Sequence, residues 1–203
     1  MTALKKIFSP SRTLALAALL GLAPQMQGCL PLLAGGAGVT ALALTDRRTV
    51  GAQTEDKEID LRGEDRIKSQ FGDRAHINVT SFNRNVLLTG EAPDATAKAQ
   101  IEAVVRELPN VRGIVNEIQI AGVSSFSSRG SDSYLTSKVK ARFVDNGGNF
   151  SANQVKVVTE ASVVYLLGLV TRREAEAAVE IARTTGGVQK VVRVFEYVEE
   201  PSK

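Results

Sequence analysis

Cysteine, tryptophan and histidine are almost missing from this sequence of 203 residues, which has one cysteine, no tryptophan and one histidine. A single thiol cannot form an internal disulfide, and a cysteine–histidine metal site needs several such ligands. The sole histidine, His76, stands at the start of a predicted strand near a turn, where a solvated or structural role is more common than that of a ligand or base. The sequence therefore predicts no metal, no cofactor and no Cys–His nucleophile.

Paired acids and nucleophile motifs are missing as well. Glu64 and Asp65 are adjacent in sequence, so on a helix they point apart and do not form an acid–base pair. The serine-rich stretch 124–131 has the composition of a polar linker. No phosphate-binding glycine loop begins at Gly90 or Gly168, because no second glycine follows at the needed spacing. We therefore predict that the protein is not an enzyme.

A membrane-spanning run is missing too, because the N-terminal apolar run covers about ten residues, 14–23, whereas a spanning helix needs about 20. Basic residues and no acids precede this run, which is the pattern of a secretion signal. The alternative is one long span over residues 14–44. Pro24, Pro31 and the glycine-rich patch 35–38 argue against it, because they break a helix and dilute its hydrophobicity.

The single cysteine, Cys29, stands directly behind this signal, in the segment Met26-Gln-Gly-Cys that resembles a bacterial lipobox. We expect residues 1–28 to be removed and Cys29 to become the lipidated, palmitate-bearing N-terminus; the alternative is ordinary cleavage near an incidental cysteine. In Gram-negative lipoproteins, an aspartate after the cysteine commonly marks inner-membrane retention. Leu30 stands there, so the expected location is the outer membrane, facing the periplasm.

Net charge changes with this processing. The full chain has 25 Lys+Arg and 22 Asp+Glu, and the signal contains three basic residues and no acid, so 22 of each remain. The mature chain is formally neutral. This balance argues against nucleic-acid binding, which would need a retained basic surface.

An internal repeat divides the rest of the chain into two halves. Gly90 and Gly168 are 78 residues apart, and Val79 and Val157 keep that offset. Each half has the predicted order helix, strand, strand, helix, strand. The predicted bounds are Ile59 to Phe71, Ala95 to Leu108, Tyr134 to Phe143 and Arg172 to Thr185 for the helices, and Val111 to Ile120 and Val188 to Val198 for the final strands.

This pattern predicts an α+β protein with two tandem two-layer domains (αββαβ), each a three-stranded mixed sheet with two helices on one face. Residues 55–122 and 131–199 form the predicted domains. Residues 29–54 form a lipidated N-terminus and flexible linker, and 123–130 a second linker. Within 29–54 the alternative is a short ordered helix at residues 39–44. Gly90 and Gly168 are expected to allow close backbone packing or an unusual dihedral angle.

The two repeats resemble the BON domain, a bacterial module of osmotic-stress proteins and outer-membrane lipoproteins. The likeness rests on the lipobox, the linker around residues 45–53, and the segments Leu88-Thr-Gly-Glu-Ala, Gly113-Ile-Val-Asn-Glu-Ile, Leu166-Leu-Gly-Leu-Val and Gly187-Val-Gln-Lys-Val-Val. The resemblance implies a non-enzymatic protein that supports outer-membrane integrity, binds anionic phospholipid and is linked to division sites and to outer-membrane assembly machinery. It also assigns lipid binding to the first helix of the second domain, where Tyr134 stands in place of a frequent tryptophan and weaker binding is expected.

Charge supports the same helix independently. Residues 129–143 contain four basic residues and one acid, net +3, whereas residues 55–74 of the first half contain five and seven, net −2. Near an anionic surface each basic side chain contributes about 1 kcal/mol. The candidate phospholipid-binding residues are Tyr134, Leu135, Lys138, Val139, Lys140 and Arg142.

The spacing of Leu135, Val139 and Phe143 at i, i+4 and i+8 also fits a helix face that packs against the core, and for these three residues the core is favoured. Two functions follow from the sequence. The leading hypothesis is a lipid-anchored protein that binds anionic phospholipid. The alternative is an adaptor that binds a protein of outer-membrane assembly or envelope remodelling, with exposed sheet edges as its surfaces.

Overall fold

The computed structural model describes residues 46–145 and 150–200. The predicted signal peptide, Cys29 and the linker up to residue 45 lie outside the described residues. The elements in chain order are α1 (Val50–Phe71), β1 (His76–Phe82), β2 (Asn85–Ala92), α2 (Ala95–Arg106), β3 (Gly113–Asn116), β4 (Gln119–Ile120), α3 (Phe126–Val144), β5 (Val155–Glu160), β6 (Val163–Val170), α4 (Arg172–Arg183) and β7 (Lys190–Tyr197). Short 3-10 turns precede β1 and β5.

Two sheets of the same topology form the framework. In the first, β2 is central, antiparallel to β1 and parallel to both β3 and β4. In the second, β6 is central, antiparallel to β5 and parallel to β7. Helices α1 and α2 pack on the first sheet, and α3 and α4 on the second. The predicted α+β class, with two αββαβ units, is confirmed.

The first helix of each unit begins earlier than the sequence pattern predicts. Thr49 caps α1 by accepting a hydrogen bond from the Ala52 amide, and Ser125 caps α3 in the same way. Residues 50–54 and 126–130, placed in linkers by the sequence, are therefore helical. Ala52 is the one buried residue in 50–54, and none of residues 126–130 is buried. The apolar periodicity that predicts a helix is therefore absent from both segments.

The final strand of the first domain is interrupted, whereas the sequence predicts one strand from Val111 to Ile120. It consists of β3 and β4, separated by Glu117 and Ile118. The Asn116 side chain accepts a hydrogen bond from the Ile118 amide at 3.2 Å, and the Ile118 side chain is buried in the core. This side-chain bond replaces ladder pairing and breaks the strand.

The two sheets contact each other through the faces that the helices leave open. Phe82 and Leu87 of the first domain form one buried cluster with Tyr165 and Leu167 of the second. The central strands are therefore buried on both faces, which explains their nearly unbroken apolar sequences.

Two consecutive arginines before α1 contact different domains. Arg47 binds the Glu174 carboxylate through both terminal nitrogens, at 2.7 and 3.0 Å. Arg48 donates to Asp56 at 2.9 Å and lies 4.0 Å over the Phe82 ring. The chain that precedes α1 is thus attached to both domains where it enters the fold.

Candidate functional site

Helix α3 presents one face to the core of the second domain. Leu135, Val139 and Phe143 are at most 6% exposed, and Val139 and Phe143 belong to the main apolar cluster. Leu135 and Val139 are therefore unavailable for lipid contact in this structure, although the sequence includes them among the candidates. Their i, i+4 spacing reflects packing against the sheet, which is the favoured alternative for these residues.

The opposite face of α3 exposes three large apolar side chains. Phe126 is 87% exposed, Tyr134 68% and Val144 75%. Successive helical residues are about 100° apart, so these three lie on the side away from the core. Phe126 is not among the sequence candidates, because the serine-rich stretch around it reads as a linker.

Each exposed aromatic ring of α3 has a cation next to it. The Arg129 guanidinium lies 4.9 Å from the Phe126 ring centre, and the Lys138 ammonium lies 5.8 Å from the Tyr134 ring centre. Aromatic rings suit the boundary between acyl chains and headgroups, where a cation can also reach a phosphate. The pairing of an apolar ring with a positive charge thus occurs twice along the helix.

Two of the three candidate cations also bind the end of α4. The Lys138 ammonium donates to the Gly186 carbonyl at 2.6 Å. Arg142 donates to the Ile181 carbonyl at 2.8 Å and to the Thr185 hydroxyl at 2.8 Å. Cations stabilise a helix C-terminus, where carbonyls lack partners. Lys138 and Arg142 therefore also hold α3 on α4.

Lys140 differs from these two residues. Its side chain is exposed, and its ammonium has no hydrogen-bond or ion-pair partner within residues 46–145 and 150–200. It lies beside a groove of about 350 Å³ at the junction of the two domains, which Arg48 and Lys156 also line. Among the cations proposed from the sequence, Lys140 is thus the one free to meet an external anion.

The equivalent helix of the first domain, α1, has a different outer face. Its exposed side carries Glu58 and Asp65 on either side of Leu61, with Lys57 close by. Leu61 is 56% exposed. Because acids lie next to its apolar residue, this face of α1 is not suited to binding an anionic membrane. It therefore serves as a control surface for the outer face of α3.

A cleft of about 410 Å³ lies at the junction of the two domains, lined by His76, Asn78, Arg129 and Glu160 among others. Asn78 donates to the Glu160 carboxylate at 2.8 Å across the domain boundary. Burial raises the pKa of Glu160 to about 6, although the Asn78 hydrogen bond opposes this. Burial and the nearby Arg129 charge lower the pKa of His76. No set of three His, Cys, Asp or Glu residues is placed to hold a metal ion in the described part of the chain.

The raised pKa of Glu160 predicts a pH-dependent stability. Folding favours the protonated form, so its contribution is complete below the unfolded pKa and is lost as pH rises towards about 6. Glu160→Gln, which stays neutral, should exceed the parent in unfolding free energy by about 1–2 kcal/mol at pH 8 and match it at pH 4. Urea denaturation followed by circular dichroism measures this difference.

Comparing the variant with its parent at each pH cancels the opposite contribution of His76. The exposed Glu199→Gln is the matched control and should show no gain at pH 8. A Glu160→Gln variant that is no more stable than its parent at pH 8 would contradict the assignment of a buried, charged Glu160.

Comparisons with known proteins identify both domains. The BON domain family model matches residues 50–122 and 131–199. The chain is 37% identical over 194 residues to "Outer membrane lipoprotein DolP" of Haemophilus influenzae, covering 94% of this chain and 98% of that protein. It is 33% identical over 156 residues to "21 kDa hemolysin" of Actinobacillus pleuropneumoniae, covering 76% and 80%.

Among solved structures, CdsD, a structural protein of the type III secretion system of Chlamydia trachomatis, matches with a TM-score of 0.30 and 12% identity. The match covers 70% of this chain and 93% of that one. No helix in the described ranges combines the length and apolar character needed to cross a bilayer. The chain belongs to the BON domain family, as a protein with two BON domains that is similar over nearly its whole length to an outer-membrane lipoprotein.

Proposed function

We propose that this protein is anchored in the outer membrane through lipidated Cys29, faces the periplasm, and binds anionic phospholipid through α3 of its second domain. In this proposal it has no catalytic role and supports outer-membrane integrity, with the division site as one place of action. The observation that supports the proposal is the exposed face of α3, with its two aromatic–cation pairs and with Lys140, whose ammonium has no partner within residues 46–145 and 150–200.

The composition of this face supports binding to a lipid surface. Burying a large apolar side chain is favourable by about 1.5–3 kcal/mol, and Phe126, Tyr134 and Val144 are all largely exposed in the free protein. The single acid in residues 129–143, Asp132, is buried and accepts hydrogen bonds from the Ala161 and Ser162 amides. It therefore does not present a carboxylate to the membrane.

Co-sedimentation with vesicles tests the proposal. The mature chain carrying Cys29→Ser, which lacks the anchor, should sediment with phosphatidylglycerol vesicles and not with phosphatidylcholine vesicles, and salt should weaken the binding. Lys140→Glu should reduce affinity for anionic vesicles about 10-fold or more, because each charge near the surface contributes about 1 kcal/mol. The double variant Phe126→Ser/Tyr134→Ser should reduce it at least as much.

Matched controls lie on α1. Lys57→Glu and Leu61→Ser repeat the same changes at exposed positions of the first domain, and neither should alter vesicle binding. Lys138 and Arg142 are poorer test positions, because their replacement would also disturb the contact with α4. Equal binding to neutral and anionic vesicles, or unchanged binding in Lys140→Glu, would refute the proposal.

A second candidate function, a protein-binding adaptor, is favoured by one observation. Strand β7 forms an edge of its sheet over eight residues, Lys190–Tyr197, and its outer side has no partner strand in the described part of the chain. The corresponding edge of the first domain is broken into β3 and β4. An unbroken edge can accept a strand from another protein. Detergent-resistant copurification of a partner, without vesicle binding, would favour this function.

A further inference from the structure

We propose that α3 selects anionic membranes with loose lipid packing, such as strongly curved ones, over flat membranes of the same composition. This inference rests on the proposed function and concerns the same surface. It follows from how the exposed apolar side chains of α3 are spaced, from the fixed orientation of the helix, and from the partners of its cations.

The apolar contacts on the outer face of α3 are separate points. Phe126 and Tyr134 are about 12 Å apart along the helix axis, and Tyr134 and Val144 about 15 Å apart, at 1.5 Å per residue. The exposed residues between them on this side are small: Gly130, Ser133, Ser137 and Ala141. The helix would therefore insert three separate side chains and would not form a continuous apolar trench in the membrane.

The helix cannot rotate to insert a larger apolar face. Leu135, Val139 and Phe143 are at most 6% exposed because they pack in the domain core. A free amphipathic helix would bury such residues in the bilayer. In α3, insertion is limited to the three outer side chains, and each needs a gap between lipid headgroups.

Direct hydrogen bonding to headgroup phosphates is also limited. Lys138 and Arg142 donate to the end of α4, and Arg129 donates to the Ser124 carbonyl at 3.0 Å. Lys140 is the remaining cation of α3 without a partner in the described ranges. Arg129, Lys138 and Arg142 keep their charge and still attract an anionic membrane, but some of their hydrogen-bond donors are used within the protein, so affinity should also depend on packing gaps that already exist. Curved membranes have more of them.

The test compares vesicles of one composition, equal parts phosphatidylglycerol and phosphatidylcholine, at diameters of about 30 nm and about 200 nm. Binding of the mature Cys29→Ser chain is measured by co-sedimentation or flotation and expressed per accessible lipid. We expect at least 5-fold tighter binding to the small vesicles. A chain that binds both sizes equally would refute packing selection and leave the proposed function intact.

Two variants separate the apolar contacts from charge. Phe126→Ala/Tyr134→Ala should bring the ratio of affinities for small and large vesicles close to one. Lys140→Gln should weaken binding to both sizes by a similar factor and keep the ratio. If the double alanine variant keeps the full ratio, the inference is wrong. If the parent binds neither size, the proposed function is wrong as well. Both changes are at exposed positions, and an unchanged melting temperature confirms folding.

Discussion

Replacing Gly90 with alanine is expected to lower the free energy of unfolding by about 4 kcal/mol. Gly90 lies in β2 opposite Ile77 and has a φ of 110°. This dihedral is strained for any residue with a side chain. A Cβ atom at this position would also lie 2.0 Å from the His76 carbonyl oxygen. The obstacle is backbone, so no rotamer change relieves it.

Two further glycines make this prediction a graded series. In Gly168→Ala, the Cβ atom would lie 2.5 Å from the Gln154 carbonyl oxygen, but φ is not in the strained region, so a smaller loss is expected. In Gly130→Ala, on the open side of α3, nothing lies within 4 Å, and a gain of about 0.5–1 kcal/mol is expected. Urea denaturation measures all three. A loss below about 1 kcal/mol for Gly90→Ala would contradict the strain argument.

The sequence predicts the two domains well because both halves show the same repeat and the same strand alternation. The two patterns reflect the same packing in each domain. The 78-residue offset of Gly90 and Gly168 reflects close backbone approach in equivalent strands. The early turns of α1 and α3 are missed because their inward positions hold Ala52, Asp56 and Asp132 where large apolar residues would be expected. Apolar periodicity cannot detect a helix whose inward residues are small or acidic.

The candidate site is only partly predictable from the sequence. Charge and resemblance lead to α3, but they do not show that Lys138 and Arg142 bind α4 while Lys140 has no partner among the described residues. These contacts join residues about 40–50 positions apart and depend on how two helices cross. Phe126 is missed because its serine-rich surroundings have the composition of a linker. Ser125, a residue type favoured at helix N-caps, is the signal that could have found it.

Contact between the two sheets has a signal in the sequence as well. The central strands read Val86-Leu-Leu and Val163-Val-Tyr-Leu-Leu, without polar residues on alternate positions. Such runs are typical of strands buried on both faces. The second buried face is the one formed by Phe82, Leu87, Tyr165 and Leu167. The apolar sequence of these strands does not show which other surface of the protein covers that face.

Asp56→Ala is expected to cost about 3–5 kcal/mol, the second large effect. The Asp56 carboxylate is buried in α1 and accepts hydrogen bonds from the Asn83 amide at 2.8 Å and the Arg84 amide at 2.7 Å. Both residues have positive φ in the tight turn between β1 and β2, so the carboxylate stabilises a turn that few side chains favour. Asp56 also accepts from the Ser81 hydroxyl at 2.6 Å. Truncation leaves these donors unsatisfied.

Asp132→Ala is the matched comparison in the second domain. Asp132 accepts from the Ala161 and Ser162 amides at 3.0 and 2.9 Å, in a turn of the same kind. It has no arginine partner among the described residues, whereas Asp56 binds Arg48. A smaller loss, about 2 kcal/mol, is therefore expected for Asp132→Ala. Equal losses in the two variants would mean that the Arg48 ion pair and the Ser81 hydrogen bond together add nothing to stability.

Hydrogen exchange gives Asp56→Ala a readout that a general loss of stability would not reproduce. The Asn83 and Arg84 amides should exchange faster than the rest of β1 and β2, because their acceptor is removed while the strand pairing remains. Arg48, which lies over Phe82, would also lose one of its two carboxylate partners and keep the other, Asp46. Uniform exchange across the first domain, with no excess at the turn, would show that Asp56 acts only through global stability.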